Sequence, residues 1–170
     1  KESEELYNLA FDKFKKAIEI KPHLYETLHN WGTYLGNLAK TKEGKEAEKL
    51  YNQAFEKFKK TIEIKPDEYE TFNNWGICLG NLAKTKGGKK AEKLYNQAFE
   101  KFKKTIEIKP DKHETFNNWG ICLGNLAKIK EGKESEKFYN QAFEKLKKAI
   151  EIKPNLHETL LNWGAYLVNL

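Results

Sequence analysis

A period of 44 residues runs through the amino-acid sequence and constrains the fold more than any other feature. Prolines recur at this interval at Pro22, Pro66, Pro110 and Pro154, and tryptophans at Trp31, Trp75, Trp119 and Trp163. Segments 45–88 and 89–132 differ at five positions, and the 170 residues make three periods and 38 further residues. A repeat of this length buries its apolar face by stacking on its neighbours, so the sequence predicts a repeat array.

The first half of each period has the pattern of an amphipathic helix. In segment 45–64, apolar residues recur at intervals of three and four, which places them on one stripe backed by lysine and glutamate. These residues are Ala47, Leu50, Tyr51, Ala54, Phe55, Phe58 and Ile62. Pro66 ends the helix, because the residue before a proline avoids the α conformation. This lysine-rich helix and its copies are named helix B.

The second half of each period predicts a helix that carries the tryptophan. Asp67 and, three residues later, Glu70 are suited to a capping box at its start. Segment 67–84 then places Phe72, Trp75, Gly76, Leu79 and Leu82 on one face. A glycine inside a helix costs ~1 kcal/mol relative to alanine, so its recurrence beside the tryptophan predicts a close approach of the partner helix. This helix and its copies are named helix A, and its tryptophan is expected in the core.

Together these patterns predict an all-α protein, a right-handed α-solenoid of stacked helix-turn-helix repeats. Residues 1–170 would form a single array. It would begin with a helix B at 1–20, continue with repeats at about 23–64, 67–108 and 111–152, and end with a helix A at 155–170.

The period resembles the tetratricopeptide repeat, whose usual length is about 34 residues. The first half of the family pattern is filled, with aromatic and leucine roles exchanged, by Phe72, Trp75, Gly76 and Leu79. The second half is filled at the family's spacing by Tyr95, Ala98, Phe102, Thr105 and Pro110. About ten additional residues per period lengthen the two helices relative to the family.

The resemblance implies that helix A lines the concave, ligand-binding face of the array. Polar positions on helix A form columns of asparagine. The first column is Asn30, Asn74, Asn118 and Asn162; the second is Asn37, Asn81, Asn125 and Asn169; a partial third is Asn73 and Asn117, replaced by His29 and Leu161 in the end copies. An amide donates and accepts hydrogen bonds at once, so these side chains are suited to hold the backbone of an extended peptide. The alternative is that each asparagine bonds a neighbouring helix or water.

A column of glutamates opens the A helices at Glu26, Glu70, Glu114 and Glu158. Glu70 and Glu114 are candidates for an acidic rail that binds a basic peptide, but the capping-box interpretation is favoured. Some tetratricopeptide proteins clamp a terminal carboxylate with lysine and arginine at these places. Here the equivalent places hold Glu70, Asn73 and Asn74, and a glutamate repels a carboxylate, so that function is rejected.

Composition narrows the function further. The net charge is +6, yet every positive charge is a lysine, whereas arginine is the preferred side chain for phosphate and guanine recognition, so nucleic-acid binding is unlikely. No apolar stretch approaches the ~20 residues of a membrane span. Cys78 and Cys122 are interpreted as reduced thiols of an intracellular, cytoplasmic protein. The histidines lack metal-ligand spacing and no nucleophile–base pair is evident, so no catalytic residue, metal or cofactor is predicted.

The predicted function is a non-enzymatic scaffold that binds a peptide or partner protein. A structural array that stacks end to end is the alternative, and RNA binding is less favoured. Self-association is expected because the first helix B and the last helix A lack the neighbours of their internal copies. Their apolar residues are Leu6, Tyr7, Leu9, Phe11, Phe14 and Ile18 at one end, and Leu160, Leu161, Trp163, Tyr166, Leu167, Val168 and Leu170 at the other.

Overall fold

The computed structural model describes residues 2–21 and 23–168, and within these ranges all regular secondary structure is α-helical. The helices are α1 (Glu2–Ile20), α2 (Tyr25–Ala39), α3 (Gly44–Ile64), α4 (Tyr69–Lys84), α5 (Gly88–Ile108), α6 (His113–Ala127), α7 (Gly132–Ile152) and α8 (His157–Leu167). Odd-numbered helices are the predicted B helices and even-numbered helices the A helices. Pro22, Asn169 and Leu170 belong to the predicted pattern but lie outside the described residues.

Each internal helix B begins at a glycine, one residue earlier than predicted. Gly44, Gly88 and Gly132 have φ angles of 56°, 50° and 52°. L-residues with a Cβ are disfavoured in this left-handed region, which explains why glycine occupies the turn from helix A to helix B.

Helix B ends where the sequence places its proline. Lys65, Lys109 and Lys153 have extended backbone, with φ between −131° and −138°, as expected before proline. Their N–H groups still donate to Thr61, Thr105 and Ala149 one turn earlier, at 2.8, 2.8 and 3.0 Å.

The A helices begin two residues later than predicted, and the capping-box prediction is wrong for α2, α6 and α8. The residues that precede these helices are Leu24, Lys112 and Leu156, and none makes a side-chain capping bond. In α4 the first helical residue is Tyr69, because Pro66 and Asp67 form a turn and Glu68 is not yet helical. Asp67 is therefore one residue too early to cap this helix.

Residues Lys1–Cys78 form one compact unit. In it α2 packs against both α1 and α3. Gly32 of α2 lies against Phe58 of α3, and a Cβ on Gly32 would come within 2.6 Å of that ring. The close approach predicted from the recurrent glycine is therefore present here.

Residues Leu79–Leu170 form the second compact unit. In it α6 packs against α5 and α7, and α7 against α8. Gly120 of α6 lies against Leu146 of α7, where a Cβ would be 2.7 Å from Cδ2 of the leucine. One cluster of buried core residues in this unit consists of Leu123, Ala127, Tyr139, Ala142, Leu146 and Tyr166.

The tryptophans are partly buried rather than enclosed in the core. Trp75 stacks on Phe55 of the preceding helix B at 6.2 Å between ring centroids, and Trp119 stacks on Phe99 at 6.3 Å. Lysine ammonium groups of the following helix B cover the outer side, with Lys57 Nζ 3.5 Å from the centroid of Trp31. The indole therefore lies at the rim of the helix contact, in a stack that includes a cation–π interaction.

Candidate functional site

Each helix A presents a polar face on the side that its core residues leave uncovered. In α2 the exposed residues Glu26, Asn30 and Asn37 are separated by four and seven positions, which brings them onto one side of a helix. The same order recurs in the other A helices as far as they are described. This set of first-turn glutamate and two asparagines is named the polar face.

In the first asparagine column, Asn74 already makes hydrogen bonds inside the protein. Asn30 is exposed, whereas Asn74, Asn118 and Asn162 are partly buried. Asn74 Nδ2 donates to Thr33 Oγ1 at 3.1 Å, and Asn73 Nδ2 donates to Asn74 Oδ1 at 3.4 Å. An amide has two N–H groups and two acceptor positions, so Asn74 retains one of each beyond these two bonds.

The second column differs in accessibility from one copy to the next. Asn37 is exposed, and Asn81 and Asn125 are partly buried. Asn125 Nδ2 is buried and has no hydrogen-bond partner among the described residues. In this conformation Asn37 is better placed than Asn125 to donate to a ligand.

The third column holds neighbouring A helices together. His29 Nδ1 and Thr71 Oγ1 are 2.7 Å apart, and Thr159 Oγ1 donates to Asn117 Oδ1 at 2.8 Å. Both threonines are buried, with exposed fractions of 0% and 1%. This role of the third column was not predicted from the sequence, although the threonine that recurs at positions 27, 71, 115 and 159 was a usable signal. The oxygen of Asn117 is therefore already engaged by α8.

The glutamate column stands in the first turn of each helix A, and all four side chains are exposed. Glu70 Oε1 accepts a hydrogen bond from Tyr69 Oη at 3.3 Å, and Glu114 Oε1 lies 3.4 Å from His113 Nε2. A carboxylate in the first turn interacts favourably with the helix dipole. The glutamates thus stabilise the helix starts by charge and keep an accessible negative edge.

Three predicted binding residues meet in a cavity of the second unit. The cavity has a volume of about 440 Å³ and lies between the starts of α6 and α8. Glu114, Asn117 and Asn118 line one side, and Glu158 and Lys153 belong to the other. Its walls present amides and carboxylates beside the basic side chain of Lys153 and the imidazoles of His113 and His157. The amides are suited to hydrogen-bond a peptide backbone, and the carboxylates to contact a basic side chain.

A lysine completes the polar face and was not singled out from the sequence. Lys40, Lys84 and Lys128 are exposed at the ends of α2, α4 and α6, fourteen residues after the glutamate of the same helix. At 3.6 residues per turn this spacing returns to the same side of the helix. The face therefore changes from acidic at the helix start, through amides, to basic at the helix end.

The two cysteines are packing residues in this structure. Cys78 lies against Gly36, and Cys122 lies against Gly80. Both thiols are free and buried, and burial raises the pKa of each to about 12. A thiol with such a pKa is protonated at neutral pH and is a poor nucleophile.

Within residues 2–21 and 23–168, no three histidine, cysteine, aspartate or glutamate side chains are grouped so that they could hold a metal ion. No helix in that part of the chain combines the length and apolar character needed to cross a bilayer.

No protein-family model and no curated protein matches the sequence. Among solved structures, a crystal structure of MamA, a tetratricopeptide-repeat protein, is similar at 18% identity over 99% of this chain and 81% of the MamA chain, with a TM-score of 0.71. A second MamA crystal structure (17% identity, 91% and 86% covered) has a TM-score of 0.45. YrrB, described as "a TPR protein with an unusual peptide-binding site", also has a TM-score of 0.45, at 18% identity with 94% and 84% covered.

At 18% identity the likeness to MamA shows the fold alone. The eight described helices and this likeness define a tetratricopeptide-like helical-repeat fold with extended repeats of 44 residues. The predicted fold class and family resemblance are confirmed. The assignment of 1–170 to a single array and the binding roles of individual residues stay predictions.

Proposed function

We propose that this chain is a non-enzymatic scaffold that binds an extended peptide across the polar face of its A helices. The observation that carries the proposal is the cavity between the starts of α6 and α8, which Glu114, Asn117 and Asn118 line. The tetratricopeptide-like fold is typical of interaction scaffolds and supports this class of function. An intracellular location, with Cys78 and Cys122 reduced, belongs to the same proposal.

The chemistry of the cavity defines the ligand class. Asn118 supplies a donor and an acceptor that match the C=O and N–H groups of a peptide backbone. Glu114 and Glu158 favour a lysine or arginine of that peptide, because opposite charges within a few ångströms attract. The preferred ligand is therefore an extended segment with at least one basic residue.

The test is a pair of matched asparagine variants. Peptides are first selected for binding from a random library displayed against the 170-residue chain. Affinity is then measured for a variant with Asn118 and Asn162, both in the second unit, changed to alanine. Its control carries alanine at Asn96 and Asn140, which are exposed on the B helices of the same unit. Asn74 is left unchanged because it also bonds Thr33.

Each hydrogen bond contributes about 0.5–1.5 kcal/mol, so loss of the two polar-face asparagines should raise the Kd at least about fivefold, whereas the control should bind like the parent. Equal affinities of the two variants, both folded by circular dichroism, would show that the ligand binds elsewhere. The doubly changed Glu114→Gln, Glu158→Gln chain should lose affinity only for basic peptides.

A second candidate function is assembly of copies end to end. The observation that favours it is the exposure of apolar side chains on α8, where Leu160 is 51% and Leu161 70% exposed. On α1, Leu6 and Leu9 are 63% and 54% exposed. Exposed apolar side chains of this number promote association.

A further inference from the structure

A lysine follows the last residue of each internal helix B, and in two of the turns a carboxylate of the same turn balances its charge. Lys65 Nζ lies 3.1 Å from Glu68 Oε2 and also donates to Tyr25 Oη at 3.1 Å. Lys109 Nζ lies 3.2 Å from Asp111 Oδ1. The positive charge of both lysines is therefore already paired inside the protein.

The lysine that follows α7, Lys153, has no such partner. Asn155 occupies the position that Asp111 has in the preceding turn, and Leu156 the position that Glu68 has in the first unit. Both replacements are uncharged, and no ion pair to Lys153 is formed among the described residues. Its side chain is exposed and lines the cavity between the starts of α6 and α8. Lys153 therefore brings an unbalanced positive charge to the wall of this cavity.

The two carboxylates of the cavity differ in the same way. Glu114 Oε1 lies 3.4 Å from His113 Nε2, and Glu114 Oε2 lies 3.8 Å from Lys112 Nζ. Glu158, at the start of α8, is exposed and forms no ion pair with a described residue. Lys153 and Glu158 are thus opposite charges on one side of the same cavity, and both are available to a ligand.

A peptide that enters the cavity removes water from both of these charges. Covering an unpaired charge costs free energy, whereas an oppositely charged side chain of the peptide offsets that cost. A peptide with basic residues alone would pair with Glu158 and leave Lys153 covered without a partner. A peptide that carries one side chain of each charge pairs with both.

We propose that Lys153 recognises an acidic side chain of the bound peptide, next to the basic residue that Glu158 holds. The inference rests on the proposed peptide-binding function and adds a second determinant to the ligand. The equivalent place in the first unit does not recognise an acidic residue, because Tyr25 and Glu68 already bind Lys65. Specificity therefore comes from positions at which the repeats differ.

The test is a double-mutant cycle between Lys153 and the peptide. Peptides selected on the 170-residue chain are synthesised with acetylated and amidated ends, so that no terminal charge remains. Each is compared with a version whose aspartates and glutamates are replaced by asparagine and glutamine. Fluorescence anisotropy gives the Kd of both peptides for the parent chain, for Lys153→Gln and for the control Lys109→Gln, whose lysine pairs with Asp111 in the same unit.

Loss of the acidic side chain should raise the Kd about threefold for the parent and for Lys109→Gln, as expected for an ion pair at a partly exposed site. For Lys153→Gln the same peptide change should have almost no effect. Asn155→Asp keeps the lysine but supplies the carboxylate that Asp111 supplies in the preceding turn, so it should abolish or reverse the preference for the acidic peptide. Circular dichroism checks that each variant is folded.

The other outcomes overturn the proposal in distinguishable ways. An equal effect of the peptide change on the parent and on Lys153→Gln shows that this lysine does not bind the acidic side chain. Selected peptides that contain no aspartate or glutamate do the same. In both cases peptide binding stands if alanine at Asn118 and Asn162 weakens it. Loss of the preference in Lys109→Gln as well indicates a general effect of charge and overturns the contact. Peptides whose affinity depends on neither asparagine overturn the proposed function together with this inference.

Discussion

At the residue scale, the positive φ angle of Gly88 explains why glycine is needed at the start of α5. Its φ of 50° is one that alanine adopts only at a cost of ~1–2 kcal/mol, partly offset by the lower entropy of the unfolded chain. Gly88→Ala should therefore lower the free energy of unfolding by about 1 kcal/mol, measured by urea denaturation. The adjacent N-cap residue Gly87 has a φ of −112°, and Glu43 and Glu131 take its place in two other copies, so Gly87→Glu should change stability by less than about 0.5 kcal/mol. If both variants lowered the free energy of unfolding equally, the positive φ angle of Gly88 would not be the cause of the loss.

His29 makes the stability of the first unit depend on pH. Burial lowers its pKa below the ordinary value of 6.5, despite the opposing charges of Glu68 and Glu70. As pH falls below about 6.5, the unfolded chain binds a proton that the folded chain resists, so stability decreases. The parent should lose more stability between pH 7 and pH 5 than His29→Asn, which retains an amide for Thr71. Parallel urea-denaturation curves for the two chains would contradict this account.

At the scale of helix pairs, alanine in place of the repeated helix A glycine should have opposite effects on stability in α6 and in α8. Gly120→Ala would push a Cβ to 2.7 Å from Leu146 and should destabilise the chain by about 1–3 kcal/mol, less the gain in helix propensity. Gly164→Ala meets no atom within 4 Å and should stabilise it by up to ~1 kcal/mol. Thermal unfolding of dilute protein compares the two, and shifts of the same sign would refute the close contact.

Helix type and order could be predicted because apolar residues recur at intervals of three and four in every copy. The starts of the A helices could not be predicted correctly. The two residues after Pro66 are not helical, and the spacing of apolar residues gives no information about their conformation. The polar face followed from the same periodicity. The Asn117–Thr159 hydrogen bond could not be predicted from this periodicity, because it depends on how two A helices pack side by side. The sequence alone does not distinguish a threonine that bonds a neighbouring helix from any other threonine in a helix.

At the scale of the whole molecule, each period offers nearly the same chemistry to a ligand. The order of glutamate, asparagine, asparagine and lysine recurs in the sequence of three successive A helices, from Glu26 to Lys40, Glu70 to Lys84 and Glu114 to Lys128. Under the proposed function, four positions that repeat in this way are better suited to bind a peptide backbone than to recognise a varied series of side chains.

The bonds between A helices also bear on how such a gene can change. His29–Thr71 and Asn117–Thr159 each join residues 42 positions apart, and the glycine contacts likewise join neighbouring helices of the same repeated pattern. Because both bonds follow the repeated pattern, insertion or deletion of one whole period of 44 residues keeps each threonine opposite the same position of the preceding helix A. An insertion or deletion of another length inside a helix would instead rotate the residues that follow it onto a different side of that helix.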